Sequence, residues 1–271
     1  MVSDVRTVQG LERGVEAPVA PERPSTSTPA IDIERLSFRY PDGTHSLREV
    51  SLRVQPGEKV ALIGPNGAGK STLLLNLNGI LRGQDGVVRI NGLPVDDGGV
   101  RQIRAQVGLL FSNPDDQLFS PTVLDDVAYG PLHLGLPRDE VLRRSREALE
   151  AVGMAGFEER VPHRLSLGQK KRIAIATVLS MGTPILVLDE PTASLDPMSR
   201  RELIQLLDSL PHTIVVATHD LAMVADVLPR TVLLDGGQVI RDLPSRDVLD
   251  DADLLYAHGL EPLSAHGHPH A

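Results

Sequence analysis

Residues 64–72 of the chain read Gly64-Pro65-Asn66-Gly67-Ala68-Gly69-Lys70-Ser71-Thr72. The stretch from Gly64 to Ser71 matches G-x-x-x-x-G-K-[ST], the pattern of a phosphate-binding loop. An apolar run precedes the loop at residues 60–63, and a helical run follows it at residues 72–77, which is the context that the motif requires. Glycines let backbone N–H groups converge on phosphate oxygens, and a helix N-terminus adds its positive end.

Two side chains of this loop carry predicted roles in chemistry. Lys70 is expected to reach the β- and γ-phosphates and to act in catalysis, and Ser71 is expected to ligate Mg²⁺. We therefore predict that residues 64–72 bind ATP. The alternative is an ordinary Gly-rich turn that happens to contain Lys-Ser, and the flanking strand and helix argue against it.

A second candidate site lies at residues 185–190, an apolar run that ends in Asp189 and Glu190. Carboxylates at the carboxyl end of a parallel strand face the ligand crevice of an α/β sheet. Asp189 is predicted to bind Mg²⁺, and Glu190 is predicted to be the general base that polarises water beside the γ-phosphate. The alternative is two solvated acids at a strand end, and the presence of a phosphate loop in the same chain argues against it.

Hydrophobic patterning predicts the fold class. The strands that begin near Ile31 and Val50 alternate in polarity, which predicts an antiparallel sheet with one exposed face. Continuous aliphatic runs are typical of parallel strands covered on both faces, and they occur at residues 60–63, 185–188 and 214–217. These patterns and the phosphate loop predict an α/β P-loop NTPase core with an antiparallel β subdomain. Apolar residues recur at helical spacing over residues 138–152, and the resemblance described below implies a helical subdomain at about residues 113–165.

Composition narrows the classes of partner. The chain has 271 residues, a formal net charge of -9 and no cysteine. The negative charge argues against a nucleic acid partner, and the lack of cysteine excludes disulfides and thiolate metal sites. No stretch approaches the ~20 apolar residues of a membrane span, so membrane spans are expected to come from other chains.

The two ends differ in composition from the predicted folded domain, residues 31–262. Residues 1–30 are rich in Pro, Ser and Thr and are predicted to form a flexible tail, with a docking peptide as the alternative. Residues 263–271 form a predicted His-rich tail. Four histidines in or near this tail have side chains that could bind Ni²⁺, Co²⁺ or Zn²⁺, namely His258, His266, His268 and His270. We favour a solvated tail over a metal site.

One motif narrows the family. The stretch Leu165-Ser166-Leu167-Gly168-Gln169 resembles the signature sequence of ATP-binding cassette (ABC) ATPases, whose common form has glycine where Leu167 stands. In that family the signature serine and glycine amides contact the γ-phosphate of ATP bound to the opposite subunit. The resemblance assigns this role to Ser166 and Gly168 and places Gln169 in the ATP site. A helix cap with nothing bound is the alternative.

Other landmarks of the ABC family follow in order. Tyr40 stands where the family has an aromatic that stacks on adenine, and a half-buried strand tyrosine is the alternative. Residues 194–196 resemble the D-loop that crosses to the other subunit. His219 resembles the switch histidine that contacts the γ-phosphate, so we include it among the catalytic residues. The resemblance covers residues 31–260 and implies an ABC ATPase that binds MgATP in a homodimer.

Several further stretches of the sequence resemble one branch of the ABC family in particular. Residues 38–45, 77–79, 113–119 and 167–172 resemble the ATPases of energy-coupling factor transporters, above all the cobalt or nickel uptake group. This resemblance implies a peripheral protein at the cytoplasmic face of the membrane, with a transmembrane coupling subunit and a substrate-binding membrane subunit as partners. Alternatives are uptake of a vitamin, a heterodimer with a related ATPase, and a soluble ABC protein of DNA repair or translation.

The chain departs from the family pattern at Ser112. Most of these ATPases have a glutamine there that ligates Mg²⁺ and senses the membrane partner. Ser112 is predicted to contact Mg²⁺ through a water, with Gln117 from the following loop as the alternative ligand. Residues 113–136 are unusually apolar around Phe119 and are predicted to contact the membrane partner, or to form a small core of the helical subdomain.

Overall fold

The computed structural model describes residues 28–263. The predicted N-terminal tail therefore lies outside the described residues except for residues 28–30, and the His-rich tail lies outside them except for residue 263. Of the four histidines considered above as metal ligands, only His258 is described. Its Nδ1 lies 2.7 Å from Oδ2 of Asp235. No helix in the described part of the chain is long and apolar enough to cross a lipid bilayer.

Ten strands and nine α-helices make up the described range. The strands are β1 (Ile31–Arg39), β2 (His45–Val54), β3 (Lys59–Ile63), β4 (Asp85–Ile90), β5 (Leu93–Pro94), β6 (Val107–Leu110), β7 (Ile185–Asp189), β8 (Thr213–Ala217), β9 (Arg230–Asp235) and β10 (Gln238–Pro244). The helices are α1 (Lys70–Leu77), α2 (Val100–Arg104), α3 (Val123–His133), α4 (Arg138–Ala151), α5 (Leu167–Leu179), α6 (Pro197–Ser209), α7 (Leu221–Val227), α8 (Ser245–Leu249) and α9 (Ala252–Ala257).

A four-stranded antiparallel sheet opens the domain, in the order β2-β1-β4-β5. Ile31 and Ile33 of β1 are fully buried and pair with Val54 and Leu52 of β2, while the intervening Asp32 is less buried. One face of the sheet therefore packs on the core and the other faces solvent, as the alternating pattern predicts. This sheet is the predicted antiparallel β subdomain.

The second sheet has the order β10-β9-β3-β8-β7-β6, and only β10 runs antiparallel to its neighbour. The three continuous aliphatic runs lie in its central strands, β3, β8 and β7, which are buried almost throughout. Strands buried on both faces need no polar alternation, which explains the pattern. The predicted P-loop NTPase fold is confirmed.

The helical subdomain packs on the parallel sheet through α5. Two short 3-10 turns, Pro114–Asp116 and Pro162–Arg164, flank α3 and α4, and both of these helices contact α5. Leu149 of α4, Ile175 of α5 and Leu186 of β7 belong to one hydrophobic cluster. The helical subdomain therefore shares its core with the sheet, so that its position depends on the sheet.

We predict that Leu149→Ala lowers the free energy of unfolding by about 2–5 kcal/mol, because it leaves a cavity in this shared core. Leu243 on β10 is 40% exposed, so Leu243→Ala is a matched control with an expected loss of at most ~0.5 kcal/mol. Urea unfolding of both variants measures the difference. Equal losses would show that Leu149 is not part of a core that folds with the sheet.

Candidate functional site

The phosphate loop connects β3 to α1, and its glycines are required by close packing. A Cβ on Gly64 would lie 1.9 Å from the carbonyl oxygen of Leu234, and one on Gly69 would lie 2.5 Å from that of Ser46. Gly69 also has a left-handed φ of 103° and gives α1 no side-chain cap. The first N–H groups of α1 therefore have no side-chain acceptor, and they are suited to bind an anion.

The two functional side chains of the loop are held by well-defined partners. Nζ of Lys70 donates hydrogen bonds to the carbonyl oxygens of Gly64 at 2.7 Å and Pro65 at 3.0 Å. Burial lowers the pKa of Lys70, and the carboxylates of Glu190 and Asp189 oppose that shift. Lys70 thus stands at the loop as a cation close to two acids.

Ser71 meets the carboxylate at the end of β7. Its Oγ donates a hydrogen bond to Oδ2 of Asp189 at 2.7 Å. Burial raises the pKa of Asp189, and the hydrogen bond from Ser71 opposes this shift. A hydroxyl and a carboxylate so close together are hard oxygen ligands of the kind that Mg²⁺ prefers, so the residues present fit the predicted ion.

Glu190 and His219 come together because their strands are neighbours. Asp189 of β7 pairs with Ala217 of β8, so the residues that follow each strand meet at one edge of the sheet. Nδ1 of His219 lies 2.8 Å from Oε1 of Glu190, and Thr218 donates a hydrogen bond to Oε2 at 3.3 Å. The carboxylate of Glu190 is thereby held in place beside the phosphate loop, where a general base is needed.

Ser112 lies two residues beyond β6 at the same edge of the sheet, because Leu110 of β6 pairs with Leu188 of β7. Its side chain is exposed. The amide of Gln117 instead donates hydrogen bonds to the carbonyl oxygen of Ala174 at 2.9 Å and to Oγ1 of Thr177 at 2.7 Å. α5 thus holds the amide of Gln117, and contact of Ser112 with Mg²⁺ through a water stays a prediction.

The signature residues begin α5 and form a capping box. Gln169 N–H donates to Oγ of Ser166 at 3.3 Å, and Ser166 N–H donates to Oε1 of Gln169 at 3.0 Å. A Cβ on Gly168 would lie 2.7 Å from Oγ of Ser199, so glycine is also needed for packing on α6. Among the described residues no hydrogen bond joins these three to the phosphate loop. Their contact with ATP therefore stays a prediction that needs a second copy.

Tyr40 follows β1 and contacts the start of α1. Its hydroxyl lies 3.0 Å from Oγ1 of Thr72, which also accepts a hydrogen bond from Ser46 at 2.7 Å. The ring of Phe38 packs edge-to-face on Tyr40 at 4.9 Å. Tyr40 is thus half-buried beside the phosphate loop, and adenine stacking on it stays a prediction.

Two features of the site were not predicted from the sequence. Asp220 caps α7 and accepts hydrogen bonds from Arg200 at 2.7 and 2.8 Å, which ties the residue after His219 to α6. Lys171, noted only as part of a basic run, is buried beneath the site, and its Nζ donates to the carbonyl oxygen of Glu190 at 2.9 Å. No sequence signal marks either contact, because both depend on tertiary placement.

Both the sheet order and the edge where these residues meet place the chain among the P-loop nucleotide hydrolases. Comparison with known proteins narrows this class. Residues 47–193 match the sequence profile of the family described as ABC transporter. The chain belongs to this family, as an ATP-binding subunit, and it is a P-loop ATPase in which ATP hydrolysis drives transport.

Three similar proteins illustrate the relationship. The energy-coupling factor transporter ATP-binding protein EcfA of Methanocaldococcus jannaschii is 47% identical over 242 residues, 87% of each chain. The structure of CbiO1 from Clostridium perfringens, part of the ABC transporter complex CbiONQ, has a TM-score of 0.75 and 37% identity, covering 85% of this chain and 94% of CbiO1. The dimeric ATP-binding cassette MJ0796 with ADP and phosphate has a TM-score of 0.71 and 30% identity, covering 80% and 99%.

We predict that Ser112→Gln keeps or raises ATP turnover and lowers the Mg²⁺ concentration at half-maximal rate, because a longer side chain can replace the bridging water. Steady-state phosphate release at varied Mg²⁺ measures both effects. Ser209→Gln, near the end of α6, is the matched control and should change neither. A large loss of turnover in Ser112→Gln would contradict the assignment of Ser112 to the metal site.

Proposed function

We propose that the chain is the ATPase of an energy-coupling-factor-type uptake system and that its cargo is a transition metal ion, cobalt or nickel. The proposed ATP hydrolysis rests on one observation, that five side chains suited to it come together at one edge of the sheet. They are Lys70, Ser71, Asp189, Glu190 and His219. The names of EcfA and CbiO1 support the transporter type. Uptake of a vitamin is the alternative, since the ATPase does not itself contact the solute.

The proposed ATP site is shared between two copies of the chain. Each copy contributes its phosphate loop, and the other copy contributes Ser166 and Gly168 at the N-terminus of α5. Such a terminus carries a partial positive charge and N–H donors, which suit a γ-phosphate. The dimeric state of MJ0796 supports this arrangement. A two-fold axis would make the two sites equivalent.

In the proposed reaction, Glu190 accepts a proton from the attacking water, and His219 holds the Glu190 carboxylate through the contact at 2.8 Å. Lys70 and the N–H groups of the loop stabilise the charge on the phosphate oxygens. Ser71 and Asp189, with Ser112 through a water, would hold Mg²⁺, which supplies further neutralisation of the triphosphate when bound. Glu190 is therefore the residue whose loss should stop hydrolysis while leaving ATP binding possible.

The membrane partner is proposed to dock in a groove between α3 and the end of the parallel sheet. The groove has a volume of about 400 Å³, and Phe119, Gln117 and Tyr129 are among its lining residues. Phe119 is 66% exposed and packs edge-to-face on Tyr129 at 5.0 Å, whereas Leu118 and Val127 are buried. One set of side chains in this segment therefore forms core, and another forms an exposed apolar patch that supports the proposed partner contact.

Contacts between this segment and α5 could transmit a movement of the membrane partner to the ATP site. Lys170 donates to Oδ1 of Asp115 at 2.7 Å, and Gln117 is bound to the middle of α5. A shift of the docked partner would thus move α5, and with it the signature residues at its N-terminus. The proposed occupant of the groove is a helix of a membrane subunit. The ATPase is accordingly proposed to be a peripheral subunit at the cytoplasmic face of the membrane.

We predict that Glu190→Gln lowers ATP turnover by roughly 10²–10⁴-fold and accumulates an ATP-bound dimer, because the general base is lost while phosphate binding remains. Size-exclusion chromatography with light scattering, with and without MgATP, measures the dimer. The double variant Lys70→Ala/Glu190→Gln is the control and should stay monomeric. A Glu190→Gln protein that remains monomeric with MgATP would contradict the shared site, and a dimer that forms only with a related ATPase would indicate a heterodimer.

We predict that Phe119→Asp abolishes ATP-dependent uptake of Co²⁺ or Ni²⁺ while leaving the ATPase activity and thermal stability of the isolated chain unchanged, because a charge disrupts an apolar contact with the partner. Uptake is measured in cells that express the chain with its co-purifying membrane proteins. Tyr256→Asp is the matched control, since Tyr256 on α9 is 60% exposed. Loss of folding would contradict the docking role, and vitamin uptake without metal uptake would contradict the proposed cargo.

A further inference from the structure

One buried lysine of the signature helix holds the residues that follow β7. Lys171 is 2% exposed, and its Nζ donates hydrogen bonds to the carbonyl oxygens of Glu190 at 2.9 Å and Ala193 at 3.0 Å. These two carbonyls belong to a tight turn, residues 190–194, which we name the catalytic turn. A single ammonium group therefore binds the first and the fourth residue of the turn that carries the general base.

The backbone of the catalytic turn is strained. Glu190 has a φ of 46° and Ser194 a φ of 61°, both in the left-handed region that non-glycine residues rarely occupy. Such residues persist only where the surroundings hold them, and they cluster at active sites. Apart from Lys171, the backbone bonds of the turn include Glu190 N–H to the carbonyl of Ala217 at 2.8 Å and Ala193 N–H to that of Glu190 at 3.2 Å.

Keeping a lysine at this position has a cost. Burial lowers the pKa of Lys171 to about 8, although the carboxylate of Glu190 opposes the shift. An apolar side chain of similar length would avoid the desolvation of an ammonium group. The hydrogen bonds to the catalytic turn and the attraction of the Glu190 carboxylate offset this cost, so the reason to expect a cation there lies in the catalytic turn.

The position of Lys171 along α5 links the turn to the signature residues. Lys171 lies three residues after Gly168, about one helical turn from the start of α5. The turn that Lys171 holds leads into Ser194 and Asp196, and Asp196 caps α6 through the N–H groups of Met198 and Ser199. One rigid helix thus contacts the base of its own site and, on the proposed function, the ATP of the other site.

We propose that Lys171 is a positioning residue for ATP hydrolysis, which fixes the catalytic turn to α5 and so makes the placement of Glu190 depend on the signature helix. This inference rests on the proposed function, because it takes Glu190 as the general base and α5 as the element that reaches the second ATP. Lys171 contacts carbonyl oxygens of its own chain, so its predicted effect is on the rate of the chemical step and not on the binding of nucleotide.

The chain offers a matched control in Lys59. Its Nζ also donates to two backbone carbonyls, those of Leu207 at 3.1 Å and Asp208 at 2.5 Å, near the end of α6. Lys59 begins β3, at the end of the strand that lies away from the phosphate loop. Lys59→Met and Lys171→Met each replace a carbonyl-binding ammonium by an unbranched apolar side chain shorter by one bond, but only Lys171→Met releases the catalytic turn.

We predict that Lys171→Met lowers kcat at least about tenfold while the KM for MgATP changes less than about threefold, since a general base supplies ~10²–10⁴-fold only when it is in place. Lys59→Met should keep kcat near the wild-type value. Steady-state phosphate release gives both constants, and thermal unfolding monitors stability. Lys171→Gln keeps an uncharged amide NH₂ group as donor on a side chain that, like methionine, is shorter than lysine by one bond, and should give an intermediate kcat.

The outcomes separate this inference from the proposed function. A fall in kcat in Lys171→Met but not in Lys59→Met, with a smaller fall in Lys171→Gln, supports the inference. A wild-type kcat in either Lys171 variant, a KM that rises with the fall in kcat, or an equal loss in Lys59→Met overturns it. If Lys171→Met cannot be purified, the kcat of Lys171→Gln decides by the same criterion. A wild-type chain that does not hydrolyse ATP would instead reject the proposed function.

Discussion

The site depends on the parallel register of β3, β8, β7 and β6. Parallel neighbours end at the same edge of a sheet, so residues far apart in sequence meet there. Asp189 pairs with Ala217, which brings Glu190 within 2.8 Å of His219, and the phosphate loop leaves β3 at the same edge. A slip of one residue would turn each aliphatic side chain to the opposite face and separate these groups. Close packing of side chains on both faces of the central strands opposes such a slip, and it is therefore the constraint that fixes the geometry of the site.

The parts of the fold that could be predicted from the sequence are those determined locally. The phosphate loop, the aliphatic strands around it and the carboxylates after β7 each follow from a short pattern with a physical cause. Glycines were expected in the loop because of phosphate binding, but Gly168 has a further cause, its approach to Ser199, which no pattern in the sequence records. A helix cap with nothing bound is the alternative to ATP binding at the signature residues, and the structure shows that a capping box of Ser166 and Gln169 forms within a single chain.

Other features could not be predicted because they depend on tertiary placement. Hydrophobicity alone does not separate Phe119, which is 66% exposed, from Leu118, which is 8% exposed, since the loop that holds them has no regular period. The acceptors of Lys171 are backbone carbonyls, which every residue possesses and no motif marks. The left-handed conformation of Glu190 and Ser194 also has no signal in the sequence, because both positions carry ordinary L-residues where glycine would be less strained.

The helix α5 connects the three regions on which the proposed cycle depends. Its N-terminus carries the signature residues, Lys171 in its second turn binds the catalytic turn, and Ala174 and Thr177 bind Gln117 beside the groove. Most of its side chains that face the sheet are fully buried, so the helix can move only together with the subdomain that packs on it. A partner that shifts the groove would therefore displace the signature residues and the anchor of Glu190 together. Coupling of this kind requires no hinge within α5, because a helix that moves as one body carries both groups with it.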